Sequence, residues 1–213
     1  MQDNSTVLKG RGFVKKFKHW IWLVGVCLLV AVAALLLLGQ REEAVPAEPT
    51  LTVETPQKLS ASQTNEFSLD VSISTLGEVR YPAMSMSLSF DASRLEFLGV
   101  EEGNVFIRDE ENGNGQKLPD WSCNVQNSND TGRINRMYLD MTGGRNAFTR
   151  ELLDEDSNVL FRLKFRLRGS VRAGDVLDLI VEDAVFAASD EEQSLAMTTH
   201  TLRVKNGRLV IGE

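Results

Sequence analysis

The chain has 213 residues, with 23 lysines and arginines against 30 aspartates and glutamates and a formal net charge of −7. Five of the basic residues and one acidic residue fall in the first 40 positions, so the rest of the chain is strongly acidic. That remainder, roughly 165 residues after a short spacer, is long enough to bury its own core. Nucleic-acid-binding surfaces are basic because they face phosphates, whereas this remainder is acidic, so we expect no nucleic-acid partner.

A charge-free segment, Trp20–Leu38, is the main feature of the N-terminal region. At 1.5 Å per residue it would make a helix about 28 Å long, which matches the hydrocarbon core of a bilayer. Five basic residues precede it, and the positive-inside rule then assigns residues 1–19 to the cytoplasm. The sequence predicts a transmembrane signal-anchor helix at residues 20–38, behind a basic cytoplasmic tail at 1–19, with the remaining chain outside the cell.

Two features of the sequence disfavour the alternatives to an uncleaved anchor, which are a cleaved signal peptide and a prepilin leader. A cleaved signal peptide would have a shorter apolar core and a small-x-small site, whereas this core ends in Leu37-Leu38-Gly39-Gln40. A prepilin processing site at residues 9–13 would want a glutamate where Phe17 stands. We therefore expect a single-pass cell-membrane protein whose C-terminal domain is extracellular.

Residues 39–50 form a polar spacer that contains two prolines. Apolar and polar residues then alternate with period two, interrupted about every ten residues by Gly, Asn, Asp or Pro. Asn206-Gly207 is typical of a hairpin turn between the last two strands. The predicted strands are 51–54, 66–73, 84–90, 95–100, 121–125, 132–141, 159–167, 176–186, 202–204 and 209–211. About nine short strands with one apolar face each predict an all-β sandwich of two sheets over residues 51–213.

The strand at 132–141 illustrates how faces are assigned from this pattern. Met137, Leu139 and Met141 share one face, while Arg136, Tyr138 and Asp140 share the other. We expect the methionines and the leucine to face the core and the polar residues to face solvent.

Few residues outside the membrane suggest catalysis. Cys27 lies in the predicted span and Cys123 is the only other cysteine, so the extracellular domain is not predicted to contain a disulfide. The acidic loop at 109–115 does not have the spacing of a calcium loop, and short acidic runs at 154–156 and 190–192 are weak candidates for a glycosidase carboxylate pair. We expect no enzyme activity, no cofactor and no bound metal.

Three aromatic residues bear on direct polysaccharide binding. Sandwich modules that bind sugars present rows of exposed Trp or Tyr, and here only Trp121, Tyr81 and Tyr138 are available. A module that binds polysaccharide directly is kept as an alternative function, with Trp121 as its stacking platform.

With its strands in this order, the extracellular domain resembles a cohesin domain over about residues 50–212. The resemblance rests on residues 51–53 with 66–71, on 87–91 followed by 93–103, on 132–134 leading to 140–143, on 160–167 and on 173–175. The middle run is the most telling, because Ser87-Leu88-Ser89-Phe90-Asp91 is followed by Leu95-Glu96-Phe97 and by Gly103, as in the family's strand-Asp-Leu-Glu pattern.

The resemblance implies a nine-stranded jelly-roll sandwich related to carbohydrate-binding modules. It also implies that one sheet face binds a dockerin, a calcium-dependent two-helix module that carries the calcium itself. The residues that this resemblance assigns to partner binding are Ser85, Ser87, Ser89, Asn124, Gln126, Arg136, Tyr138 and Asp140.

The function expected from the sequence is therefore that of a non-catalytic receptor at the outer face of the membrane. It would hold dockerin-bearing proteins, either polysaccharide-degrading enzymes or scaffolds. Direct polysaccharide binding and a structural role in an envelope assembly are the alternatives.

Overall fold

The computed structural model describes residues 48–56, 59–61, 66–110, 113, 115–189 and 195–213. The predicted tail at 1–19, the predicted span at 20–38 and most of the spacer lie outside the described residues. Within the part of the chain that is described, no helix is long and apolar enough to cross a membrane.

The described residues form thirteen strands, where the sequence predicted about nine, and four strands of only two or three residues lie where no strand was predicted. The strands are β1 (Thr50–Val53), β2 (Leu59–Ser60), β3 (Phe67–Ile73), β4 (Ala83–Ser89), β5 (Leu95–Glu102), β6 (Ile107–Asp109), β7 (Gly115–Lys117), β8 (Arg133–Leu139), β9 (Val159–Leu167), β10 (Val176–Ala187), β11 (Met197–Thr198), β12 (Arg203–Lys205) and β13 (Gly207–Gly212). One α-helix, α1 (Val125–Thr131), and a 3₁₀ turn at Arg150–Leu152 complete the described elements.

Two sheets contain most of these strands. The first sheet has the order β12-β1-β3-β9-β5, and the second has the order β2-β13-β10-β4-β8, with β11 pairing β10. Most pairs are antiparallel, but β1 pairs with β12 and β2 with β13 in parallel. In each of the two sheets, a strand from the start of the domain therefore pairs with a strand from its end. The architecture is a β-sandwich.

Alternating strands supply the core between the sheets. In β4, Met84, Met86 and Leu88 are buried while the serines between them are half-buried. From the other sheet, β9 contributes Phe161 and Phe165, which are fully buried. Because each buried side chain of this size contributes about 1.5–3 kcal/mol, hydrophobic packing is the main stabilising term.

The orientation predicted for β8 is wrong. Arg136 and Tyr138 face the core at 2% and 6% exposure, while Met137 and Leu139 face solvent. The two buried polar groups find carbonyl acceptors inside: Arg136 donates to the Ser122 carbonyl, and the Tyr138 hydroxyl donates to the Asn146 carbonyl at 3.0 Å. A buried polar group that is hydrogen-bonded is tolerated, and the aromatic rings around these two residues bury their apolar parts.

The strand predicted at 121–125 is also wrong. Only an isolated bridge from Ser122 to Met137 is present, and α1 begins at Val125. The Asn124 side chain accepts a hydrogen bond from the Asn127 N–H at 3.0 Å and caps the helix. At the other end Gly132 adopts a left-handed conformation (φ 65°), which a glycine tolerates best.

The predicted terminal hairpin does not form either. β12 pairs with β1 in the first sheet, whereas β13 pairs with β10 in the second, so the chain crosses between sheets at Asn206-Gly207. The Asn206 side chain accepts from the Val181 N–H at 2.9 Å. A Cβ on Gly207 would lie 2.8 Å from the Val53 side chain, so this glycine serves close packing and not a hairpin turn.

Candidate functional site

On the outward face of β10, β4 and β8, side chains lie in rows that run across the three strands, with a residue of β4 in the centre of each row. Ser85 lies between Met137 of β8 and Val185 of β10. Ala83 begins the next row and has Leu139 on one side and Ala187 on the other. We call this surface, with the rows described below, the outer face.

Polar groups form the other half of the outer face. Ser87 lies opposite Asn135 and donates a hydrogen bond of 2.7 Å to its side-chain oxygen. In the last row, Ser89 separates Arg133 from Ile180. Arg133 also forms an ion pair of 3.1 Å with Glu182, at the β-bulge of β10.

Large apolar side chains are exposed at the edge of the outer face. Met137 is 51% exposed, Leu139 is 52% exposed, and Met141, in the loop after β8, is 84% exposed. We call these three residues the apolar patch. Beside them β4 presents only small side chains, so the surface is flat across its centre. An exposed apolar cluster rimmed by polar groups is typical of a protein interaction site.

The structure brings only part of the predicted site together. Ser85, Ser87 and Ser89 lie side by side on the outer face. Asn124 caps α1 and Gln126 is exposed in its first turn, so neither belongs to a strand of this sheet.

Asp140 follows β8 and is engaged within its own loop. Its carboxylate accepts hydrogen bonds from the Thr142 N–H at 2.9 Å, the Thr142 hydroxyl at 2.5 Å and the Gly144 N–H at 2.5 Å. Burial disfavours the ionised form, but these hydrogen bonds outweigh it and hold the pKa of Asp140 below its usual value. Asp140 therefore stabilises the loop that carries Met141.

Arg136 and Tyr138, both predicted to contact a partner, point away from the outer face. Burial raises the pKa of the Tyr138 phenol well above its usual value, with a further contribution from Asp140 and Asp109. The Tyr138 ring lies 5.2 Å from the Phe148 ring, centroid to centroid. These side chains stabilise the interior and are not available to a partner on the outer face.

Sequence reasoning missed the residues that take their place, namely Arg133, Asn135, Met137, Leu139 and Met141. The polar residues at 133 and 135 share a face with Met137, which is the signal that could have indicated an outward orientation. The apolar residues at 137, 139 and 141 outweighed that signal.

Trp121, the platform of the polysaccharide alternative, is half-buried. Its ring centroid lies 4.9 Å from that of Phe161 and 5.9 Å from that of Phe148, so much of the indole packs against the core. Among the described residues no cluster of three or more His, Cys, Asp or Glu could hold a metal ion.

No protein-family model matches the chain, and no curated protein sequence matches it. Solved cohesin structures, in contrast, are similar in fold. The seventh type I cohesin of ScaB from Pseudobacteroides cellulosolvens aligns at a TM-score of 0.54 and 16% identity, covering 76% of this chain and 91% of the cohesin.

Two further neighbours extend the comparison. A cohesin–dockerin complex of OlpA from Clostridium thermocellum aligns at a TM-score of 0.55 and 14% identity, covering 76% of this chain and 98% of the other. A non-cellulosomal cohesin from the archaeon Archaeoglobus fulgidus aligns at 0.52 and 16%, covering 78% and 93%. At such identities the likeness establishes the fold alone: the described domain has a cohesin fold.

Proposed function

We propose that this chain is a non-catalytic receptor module that binds a dockerin-bearing protein on the outer face. The observation that carries the proposal is the apolar patch of Met137, Leu139 and Met141, exposed beside the flat strand β4. The cohesin fold supports it, because a similar solved cohesin is in complex with a dockerin.

The chemistry of the outer face suits a helical partner. An amphipathic helix can lay its apolar side chains on the apolar patch, and the small residues of β4 allow its backbone to approach closely. Ser87, Asn135 and Arg133 then offer hydrogen bonds at the polar end. In this arrangement any calcium belongs to the dockerin.

The proposed place of action is the extracellular side of the cell membrane. The charge-free segment Trp20–Leu38 with its basic flank supports an anchor of this kind. The partners would be polysaccharide-degrading enzymes or scaffolds that carry dockerins, and the chain would hold them without chemistry of its own.

Calorimetry tests the proposal directly. The full chain in mild detergent is titrated with a panel of dockerins, first with calcium and then with EDTA. Binding at micromolar affinity or better that disappears with EDTA would support the receptor role. Absence of binding across the panel, including dockerins of the native host, would overturn it.

A further inference from the structure

The methionines of the described residues fall into two classes by exposure. Met84, Met86 and Met197 are buried, with at most 5% of their surface exposed. Met137 is 51% exposed and Met141 is 84% exposed. Both exposed methionines belong to the apolar patch, so two of its three side chains are thioethers that solvent can reach.

The outward position of Met137 follows from strand pairing. Ser85 of β4 lies opposite it, and a serine is too small to cover the thioether. On the other side of β8, the Met137 carbonyl accepts a hydrogen bond of 3.2 Å from the Ser122 N–H. Successive residues of a strand point to opposite faces of the sheet, so this pairing keeps the Met137 side chain in solvent.

The outward position of Met141 follows from the loop after β8. The Asp140 carboxylate accepts hydrogen bonds from the Thr142 N–H at 2.9 Å and from the Gly144 N–H at 2.5 Å. These bonds fix the backbone on both sides of Met141. An oxidant in solution can therefore reach the sulfur atoms of Met137 and Met141 without any opening of the sandwich.

The chemistry of an exposed thioether is oxidation by a peroxide. The sulfur forms a bond to one oxygen of hydrogen peroxide, the O–O bond breaks, and the second oxygen leaves as water. The sulfur loses two electrons, which the peroxide gains, and the product is methionine sulfoxide. A buried methionine reacts only when the protein opens, so the three core methionines should react much more slowly.

Oxidation changes the character of the apolar patch. A sulfoxide is polar, and its oxygen would have to lose its hydration when a partner covers the surface. Leu139 would then be the only apolar side chain left of the three. The folded state itself should tolerate the change, because an exposed sulfoxide stays hydrated when the domain is folded.

We propose that Met137 and Met141 are a modification site at which peroxide oxidation releases the docked partner. A methionine sulfoxide reductase restores binding, since it removes the oxygen as water with two electrons from a dithiol. The release step rests on the proposed receptor function, whereas the selective oxidation of these two residues does not need a dockerin.

Peptide mapping by mass spectrometry tests the selectivity. The full chain in mild detergent is treated with increasing hydrogen peroxide, and Cys123→Ser serves as the parent because Cys123 is an exposed thiol that peroxide also oxidises. We expect oxygen to be added at Met141 first and then at Met137, both at least about tenfold faster than at the buried methionines. Equal rates at exposed and buried methionines, with the fold intact, would overturn the assignment.

Calorimetry with a dockerin tests the release. The peroxide is removed with catalase before the dockerin is added, so that the dockerin is not oxidised. Oxidation of the parent should weaken binding at least about tenfold, and treatment with the two reductases specific for the two sulfoxide epimers should restore it. Unchanged affinity after complete oxidation of both residues would overturn the release step.

Variants connect the loss of binding to these two sulfur atoms. The double variant Met137→Leu, Met141→Leu retains apolar side chains without a thioether, and peroxide should not change its affinity relative to its own untreated sample. Met197→Leu removes a buried thioether, and it should still lose affinity on oxidation. An equal loss in the double variant would show that oxidation acts elsewhere.

Two further readings keep the possible failures apart. Urea denaturation before and after oxidation should give the same midpoint, and a large fall would mean that binding is lost through unfolding, against the proposal. Absence of dockerin binding before oxidation would overturn the receptor function and the release step together. Intact binding after selective oxidation would overturn the release step alone.

Discussion

Arg136 and Met137 are adjacent in β8 and lie on opposite faces of the sheet, with exposures of 2% and 51%. The register with β4, in which Ser85 opposes Met137, places Met137 among the outward serines. β8 therefore contributes to two separate surfaces. Its outward side chains belong to the outer face, and Arg136 belongs to a cavity at the edge of the sandwich.

Met137→Glu should weaken dockerin binding at least tenfold, because a charge would have to be desolvated where an apolar contact is lost. The free energy of unfolding should change little, since the side chain is half-exposed. Calorimetry and urea denaturation of the same preparation measure both quantities.

Val210→Glu is the matched control for this substitution. Val210 is 49% exposed on β13 and pairs with Val176, at the opposite end of β10 from Val185. The same charge should leave dockerin affinity unchanged there. Equal losses for both variants would argue that net charge, and not the apolar patch, governs binding.

Tyr138→Phe should reduce the free energy of unfolding by about 1–2 kcal/mol, since it leaves the Asn146 carbonyl without its buried donor. The midpoint of urea denaturation should fall, and dockerin affinity should stay the same because the ring faces the core. An affinity loss with unchanged stability would mean that Tyr138 acts at a binding surface after all.

Asn124→Ala should cost about 1 kcal/mol of stability, because the side-chain cap to the Asn127 N–H is lost. Gln126→Ala is the control in the first turn of the same helix, where the side chain is exposed and has no capping role. Chemical denaturation of the two variants should differ by nearly the full effect of the cap. Similar midpoints would show that the cap contributes nothing measurable.

Gly103→Ala should destabilise the domain by about 2 kcal/mol or more, because a Cβ at this position would lie 2.0 Å from the Val159 carbonyl oxygen. The strands flanking this contact would have to separate. Gly169→Ala is the matched control, since nothing lies within 4 Å of its added Cβ. Thermal denaturation should lower the Tm of the first variant only, and an unchanged Tm for Gly103→Ala would contradict the packing argument.

The pH dependence of stability should show the contribution of Asp140. Hydrogen bonds from Thr142 and Gly144 hold its folded-state pKa below the ordinary value of 3.8, even though burial opposes them. A carboxyl with a lowered folded pKa stabilises the folded state above its unfolded pKa. This contribution should therefore be complete above about pH 4 and decline as pH falls through the folded pKa.

Urea midpoints measured from pH 5 to pH 2 check this expectation. Asp91, whose pKa is lowered by the Ser93 hydroxyl and Arg94, titrates in the same direction and supplies part of the slope in every variant. Asp140→Asn should lose stability less steeply than the parent over this range. Parallel curves would show that Asp140 carries no pH-dependent stabilisation.

Much of the sandwich could be predicted from the sequence because period-two alternation identifies strands locally. β3, β4, β9 and β10 lie where the pattern placed them, within a few residues. α1 was missed although Asn124 and Gly132 are usual helix-capping residues, because its seven residues carry no apolar period. The Asn206-Gly207 pair was misleading, since the same dipeptide that forms hairpins here crosses from one sheet to the other.

The sequence by itself determined which residues of each strand share a face, since successive side chains must point to opposite sides of a sheet. It could not determine which face of β8 is buried, because Ile134, Arg136 and Tyr138 on one side and Met137 and Leu139 on the other both contain apolar groups. Only the tertiary structure decided this, by supplying carbonyl acceptors for Arg136 and Tyr138 and aromatic rings around them. Burial of a polar side chain depends on partners that are distant in sequence, and those partners exist only once the two sheets have packed together.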